Sequence, residues 1–292
     1  MFCFWCFEGG DVLDGPGTNR EPYIFLNEKW GVRLVHVRVG PSLREEWLVW
    51  YLDGPFDGVD DGSLDAIFPW DRHLRTGRPL FLFGDYSGVP TCWKDQVVFK
   101  QSCSKSTPFF PFFYSVVLDI EPRPITECAF DVGFYGSSRT HPCRQDLRRA
   151  LRNVSRAYFF DNARCWWGYS QSTQQLLRRG YLSLLEDTQF VLCPRGKGLN
   201  SIRFFEALRL GRIPVLVSDD TKLPLEDRID YSQVMVRVPE AEAGEAYDYI
   251  IRWLEDHDLP EASARARLLS KEYFEDLEKF VRLSLQNQVP VL

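Results

Sequence analysis

Residues 190–220, FVLCPRGKGLNSIRFFEALRLGRIPVLVSDD, decide how the chain is read. Phe190-Val191-Leu192-Cys193 is an apolar run short enough for a buried strand. Pro194-Arg195-Gly196-Lys197-Gly198 is a glycine-punctuated loop carrying two cations. Ser201 is placed to cap a helix whose apolar positions Ile202, Phe205 and Leu208, with Phe204 beside them, recur at helical spacing. Gly211 stops that helix, and residues 213–217 form a second buried strand ending at Ser218-Asp219-Asp220. The expected unit is strand, helix, strand, with its basic loop at a helix N-terminus, where unpaired N–H groups and the helix dipole favour phosphate. Such a unit belongs to a parallel sheet that binds its ligand at the strand C-termini.

Composition bounds the rest. A chain of 292 residues accommodates two domains of ordinary size, and 45% hydrophobic with 26% charged residues is a globular composition. The net charge of -6 argues against a general nucleic-acid binder but allows a local basic site. No stretch approaches the roughly 20 apolar residues of a membrane helix. The apolar start MFCFWCF has no basic leader, so we read it as a first strand and expect a cytoplasmic protein. The eight cysteines lack metal-site spacing, which makes buried thiols the default. Asn153-Val154-Ser155 is a formal glycosylation acceptor at a predicted helix end.

Residues 1–118 suggest short strands at 23–26, 32–39, 47–51, 80–83 and 96–99. The Gly/Asp segment 53–63 does not fit the ligand spacing of an EF-hand and reads as a surface loop. Asp85 ends the strand 80–83 region, where an α/β layer presents functional side chains; pattern alone favours a simple turn before Gly88. Residues 105–114, rich in Pro and Phe, are expected to line a cleft or cross a domain boundary. The boundary itself is expected near Pro122 and Pro124, giving domains 1–122 and 123–292.

After that boundary strands and helices alternate: strand 131–136, helix 142–152, strand 157–160, helix 172–180 stopped by Gly180, and a short amphipathic piece at 181–185. Beyond the opening unit come strand 234–238, helix 245–256 and a mostly helical 260–286. Two loops then compete for one role. Residues 136–141 precede a helix bearing Arg144 and include Arg139; residues 194–198 supply Arg195, Lys197 and backbone amides. Neither matches the GxGxxG or Walker spacing, so a dehydrogenase or P-loop enzyme is disfavoured. Glu206 is the odd residue of its helix: it either accepts ribose hydroxyls or pairs with Arg203 or Arg209 on a half-exposed face.

An ordered series of motifs runs through this half: Pro194-Arg195-Gly196, Ser201-Ile202-Arg203, Phe205-Glu206-Ala207, Gly211-Arg212-Ile213-Pro214-Val215, Ser218-Asp219, Leu223-Pro224 and Val236-Arg237-Val238-Pro239-Glu240. The series resembles the C-terminal part of the exostosin family of glycosyltransferases. Residues 130–144 are similar to the segment that opens that family's donor domain, and residues 81–85 resemble its Phe-Phe-Val-x-x-His-Asp segment, with Gly84 in place of the histidine. The resemblance implies an α/β GT-B fold: two Rossmann-like domains facing across a cleft, acceptor on the first and nucleotide sugar on the second, the last helix packing back on the first. It implies an inverting transfer of a sugar from a UDP-sugar to a glycan hydroxyl. UDP-xylose is the preferred donor, with glucuronosyl, galactosyl and N-acetylglucosaminyl transfer as alternatives. In that scheme Arg139, Arg144 and Arg195 hold the diphosphate, Glu206 the ribose, and Ser138, Gly196, Ser201 and Arg203 complete the donor site. Asp85 is the first candidate base, with Asp53 and Asp57 behind it. No cofactor and no divalent metal are expected, and the partners are a UDP-sugar and an oligosaccharide or glycoprotein glycan. The compact chain resembles soluble members carried by large algal viruses. A non-catalytic glycan-binding or scaffold protein on the same fold is the reading from a different class, and a retaining glycosyltransferase is a third.

Overall fold

The computed structural model describes residues 33–38, 46–52, 78–83, 97–113, 118, 120–162, 169–276, 279–280 and 283–284. The chain forms two compact units, one within 114–221 and 226–275, the other within 6–113 together with Lys222–Leu225 and residues from Asp276 onward.

The second of these units holds a five-stranded sheet of β1 (Arg33–Arg38), β2 (Glu46–Leu52), β3 (Arg78–Phe83), β4 (Val97–Lys100) and β5 (Phe110–Pro111) in sequence order. β1 runs antiparallel to β2, and the remaining pairs are parallel. In the segment 105–114, expected to line a cleft or cross a domain boundary, Phe109 and Phe110 are half-buried while Phe112 and Phe113 are buried, packing tilted against each other and edge-on against Phe280, as Phe99 packs edge-on against Phe112 and Phe280. Three rings gathered on Phe280 remove a large apolar surface from water. Lys222 joins this unit through its Nζ, which donates to Phe109 O at 3.2 Å.

The other unit is built on a parallel sheet of β6 (Phe130–Gly136), β7 (Ala157–Asp161), β8 (Thr188–Pro194), β9 (Ile213–Val217) and β10 (Val236–Val238). Their spatial order is β10-β9-β8-β6-β7. Helix α1 (Pro142–Ala150) connects β6 to β7, α2 (Gln171–Glu186) precedes β8, α3 (Ile202–Arg209) joins β8 to β9, and α4 (Ala246–Asp256) and α5 (Leu259–Tyr273) follow β10. Phe134, Leu192, Val215, Val217 and Val238 form one core with Leu147 of α1 and Ile250 of α4. On the opposite face, Gly133 abuts Leu184 and Tyr135 abuts Gly180, both on α2. The sheet is therefore covered on both sides, which explains why its strands are apolar runs without alternation.

Two local expectations are corrected by this packing. Gly180 does not stop a helix, because α2 continues through it to Glu186. A Cβ at Gly180 would lie 2.8 Å from Tyr135 Oη, so glycine is there for close approach of helix to sheet. Ser201 stands at the N-cap of α3 with extended φ/ψ, but its side chain makes no capping bond. Gly211 does end α3 as expected, at φ +67°, where a Cβ would be strained. Its neighbour Arg212 is fully buried and donates to Leu185 O at 3.0 Å, to Glu186 O and to Arg123 O at 2.9 Å. It thus satisfies the last carbonyls of α2, which a helix terminus leaves unpaired.

Candidate active site

Taken from β6 onward, the strand order of the all-parallel sheet is 2-1-3-4-5, so chain direction across the sheet reverses between β6 and β8. Loops leaving the C-terminal ends of those two strands diverge to opposite faces and open the crevice in which α/β proteins bind ligands. They are the two loops singled out from the sequence, residues 136–141 at the end of β6 and 194–198 at the end of β8.

Arg144 ties them together. Its Nη1 donates to Ser137 O at 2.9 Å, Nη2 to Pro194 O at 2.9 Å and Nε to Arg195 O at 2.7 Å. The side chain is nearly buried, and all three guanidinium nitrogens are engaged on backbone carbonyls. A planar fork can serve three carbonyls at once, a task for arginine rather than lysine. Arg144 is thus a strut of the crevice wall.

Ser138 is engaged in a similar way. Its N–H donates to Asp161 Oδ1 at 2.8 Å and its hydroxyl to Asp161 Oδ2 at 2.7 Å, while Arg148 Nη1 reaches the same carboxylate at 2.8 Å. Asp161 ends β7, and its organising role is not visible in its sequence neighbourhood. Gly196 is buried and its N–H donates to Gly198 O at 3.1 Å, closing a tight turn. Ser201 Oγ is met by Arg203 Nη1 at 3.4 Å. Arg203 also donates from Nη2 and Nε to Tyr135 O, at 2.9 and 3.3 Å, and lies over the Phe134 ring. That reach depends on Gly136, where a Cβ would overlap Arg203 Nη2.

Glu206 has neither of its expected partners. It is fully buried; Oε1 accepts from Arg178 Nη1 at 2.8 Å, and Oε2 accepts from the hydroxyl of Tyr181. Arg209 instead pairs with Glu275. Arg178 and Tyr181 lie one turn apart on α2, so the carboxylate is shared between two helices packed on one face. Burial, followed by the Glu206 charge, pushes the Tyr181 phenol well above its ordinary value, so it stays a proton donor to Glu206.

At the mouth of the two loops the groups are less committed. Arg139 is exposed, as is Lys197. Arg195 reaches Glu240 Oε1 with Nη1 at 3.4 Å, and its buried Nε meets no acceptor. The Thr140 hydroxyl is likewise buried without a partner. His141 Nε2 lies 3.5 Å from Glu240 Oε2, and its Nδ1 accepts from Cys143 N–H at 3.4 Å, which caps α1. Burial and then the Arg195 charge lower the His141 pKa, against the opposing pull of Glu240. Burial pushes the Cys143 thiol up to about 11, which leaves it an unreactive neighbour.

Asp85, Asp53 and Asp57 lie outside the described residues. Among the described residues no group of three or more His, Cys, Asp or Glu could hold a metal ion, and no described helix is long and apolar enough to cross a membrane.

The chain is 36% identical over 104 residues to Exostosin-1 of Drosophila melanogaster, covering 36% of this chain and 14% of that protein. It is 43% identical over 63 residues to the Exostosin-1 homolog of Caenorhabditis elegans, covering 22% of this chain and 16% of that protein. The chain thus spans about one-sixth or less of the length of these curated relatives. Among solved structures it is similar to TarM, with TM-score 0.43 and 10% identity over 72% of this chain and 51% of that one. The family model described as Exostosin GT47 domain matches residues 109–252, a span that contains both crevice loops and every motif of the sequence series. The resemblance to the exostosin GT47 domain thus spans residues 109–252 of this chain.

Proposed function

We propose that the chain is a glycosyltransferase whose GT47 unit binds a nucleotide-sugar donor at the β6/β8 switch point, with a glycan hydroxyl as acceptor. The observation that carries this reading is the pair of basic loops on either side of the switch point, with Arg195 Nε and Thr140 Oγ1 buried there and unpartnered. Buried donors without acceptors are costly and call for an oxyanion. Arg139 and Arg195 are the diphosphate ligands of this reading; Arg144, Ser138, Gly196 and Arg203 hold the loops that carry them.

The donor is a UDP-sugar, UDP-xylose by preference, and the transfer inverts the anomeric centre. A base takes the proton of the acceptor hydroxyl, and that oxygen forms a bond to the anomeric carbon. The bond from this carbon to the diphosphate oxygen breaks, and its electron pair leaves on the nucleoside diphosphate, stabilised by the two arginines. Asp85 is the base in this reading, and no divalent metal takes part.

The decisive experiment is a panel of UDP-sugars with a glycan acceptor, scored by UDP release and by NMR of the product's anomeric proton. Release above the hydrolytic background that survives EDTA and is lost in Asp85→Asn is the expected result. Loss with EDTA and return with manganese would overturn the metal-free scheme. One observation favours a second reading, a non-catalytic glycan-binding protein: the Glu206 carboxylate is fully buried, with Oε1 on Arg178 and Oε2 on Tyr181, and is not presented to a ribose. A thermal-shift panel in which no nucleotide sugar raises Tm decides for that alternative.

A further inference from the structure

Two acidic motif residues, Asp219 and Glu240, were given no role in binding the donor, yet they are joined to each other at the mouth of the site. Asp219 N–H donates to Glu240 Oε1 at 3.0 Å, and Glu240 N–H donates to Asp219 Oδ1 at 2.9 Å. Each side chain thus caps the other's backbone, locking the chain just after β9 to the chain just after β10. The lock fixes the Glu240 carboxylate, which is the kind of reciprocal bonding that makes a helix capping box rigid.

The fixed carboxylate meets the two side chains that approach from the other loops. Glu240 Oε1 accepts from Arg195 Nη1 at 3.4 Å, and Oε2 faces His141 Nε2 at 3.5 Å. Arg144 is a further charged group here, and its nitrogens are already on Ser137, Pro194 and Arg195 carbonyls. His141 Nδ1 accepts the Cys143 N–H, which leaves Nε2 as the ring nitrogen nearest Glu240. Only one nitrogen of Arg195 is tethered this way, and the tether leaves Nε buried without an acceptor.

We infer that Glu240, held by Asp219, is a positioning residue that sets the Arg195 guanidinium for a diphosphate at the switch point. This rests on the donor-site reading above. It runs against simple electrostatics: a carboxylate beside an anion site repels the anion, so removing it would tighten binding if charge alone mattered. Positioning predicts the reverse, because an untethered arginine must be ordered by the ligand itself.

The test uses the intact chain and calorimetry with inorganic pyrophosphate and UDP, with uridine as a control that carries no phosphate. Glu240→Ala is expected to weaken pyrophosphate and UDP about tenfold, close to Arg195→Ala, and to leave uridine unchanged. Glu240→Gln keeps an oxygen for Asp219 N–H and Arg195 and is expected to recover most of the loss. Equal or tighter pyrophosphate binding by Glu240→Ala overturns the inference, as does an equal loss in the Gln and Ala variants. Should Glu240→Ala weaken uridine as much as UDP, the effect is general damage and the inference also falls. A wild-type chain that binds pyrophosphate but neither UDP nor uridine sinks the nucleotide reading alone, and the pyrophosphate arm still decides on Glu240. Failure of the wild type to bind pyrophosphate overturns both.

Discussion

Arg144 and Arg195 meet side chain to backbone: the Nε of the first donates to the carbonyl oxygen of the second at 2.7 Å. The residue expected to bind diphosphate directly thus holds in place the loop of another residue expected to do so.

This arrangement makes Arg144 a stability residue first. Its replacement by alanine leaves the carbonyls of Ser137, Pro194 and Arg195 without their donor in a nearly buried setting. We expect a loss of about 3 kcal/mol in urea unfolding, from about 1 kcal/mol for each hydrogen bond removed. Lysine, which cannot serve three divergent carbonyls, is expected to recover less than half of that loss.

Glu206 is predicted to be costly to change for a reason unrelated to nucleotide. Glu206→Ala strips Arg178 and Tyr181 of their shared acceptor inside the fold, and a broken buried pair costs about 3 kcal/mol. A double-mutant cycle between Glu206→Gln and Tyr181→Phe should show coupling above ~1 kcal/mol. Additive effects in unfolding free energy would contradict the hydrogen bond.

At Gly180 two opposing effects can be weighed. Alanine is favoured over glycine in a helix by about 1 kcal/mol. The added Cβ would lie 2.8 Å from Tyr135 Oη and 3.2 Å from its ring carbons, and overpacking costs about 1–3 kcal/mol. The net expectation for Gly180→Ala is a lower Tm, and a higher one would show that helix and sheet can separate at that point.

The pH dependence of stability should carry a signature of His141. Its folded pKa is lowered below the ordinary 6.5, by burial first and the Arg195 charge second, so between the two values the unfolded chain binds more protons. Stability is full above the unfolded value, declines as pH falls below it, and levels off beneath the folded value. His141→Asn, which keeps a side-chain acceptor for Cys143 N–H, should flatten that part of a Tm-against-pH curve while the neighbouring Arg195, Glu240 and Arg144 remain.

Much of the fold was legible because strands of a parallel sheet covered on both faces are apolar runs, and such runs at 130–136, 157–161, 188–194 and 213–217 are bounded by polar or glycine loops. The two crevice loops were legible for the same reason: glycine and arginine follow the apolar run directly. Gly180 misled because glycine is used both where a helix ends and where a helix must approach a neighbour, and only the Tyr135 ring distinguishes the two.

The amino-acid sequence by itself determined the strand–helix alternation, the basic loops and the motif series, since each depends on residues close in the chain. Only the tertiary structure decided what the charged residues do. The partners of Glu206 are 28 and 25 residues away, Arg144 reaches 50 and 51 residues, and Glu240 meets Arg195 across 45. A long polar side chain takes whichever partner the fold brings within about 3 Å, and no local pattern encodes that choice.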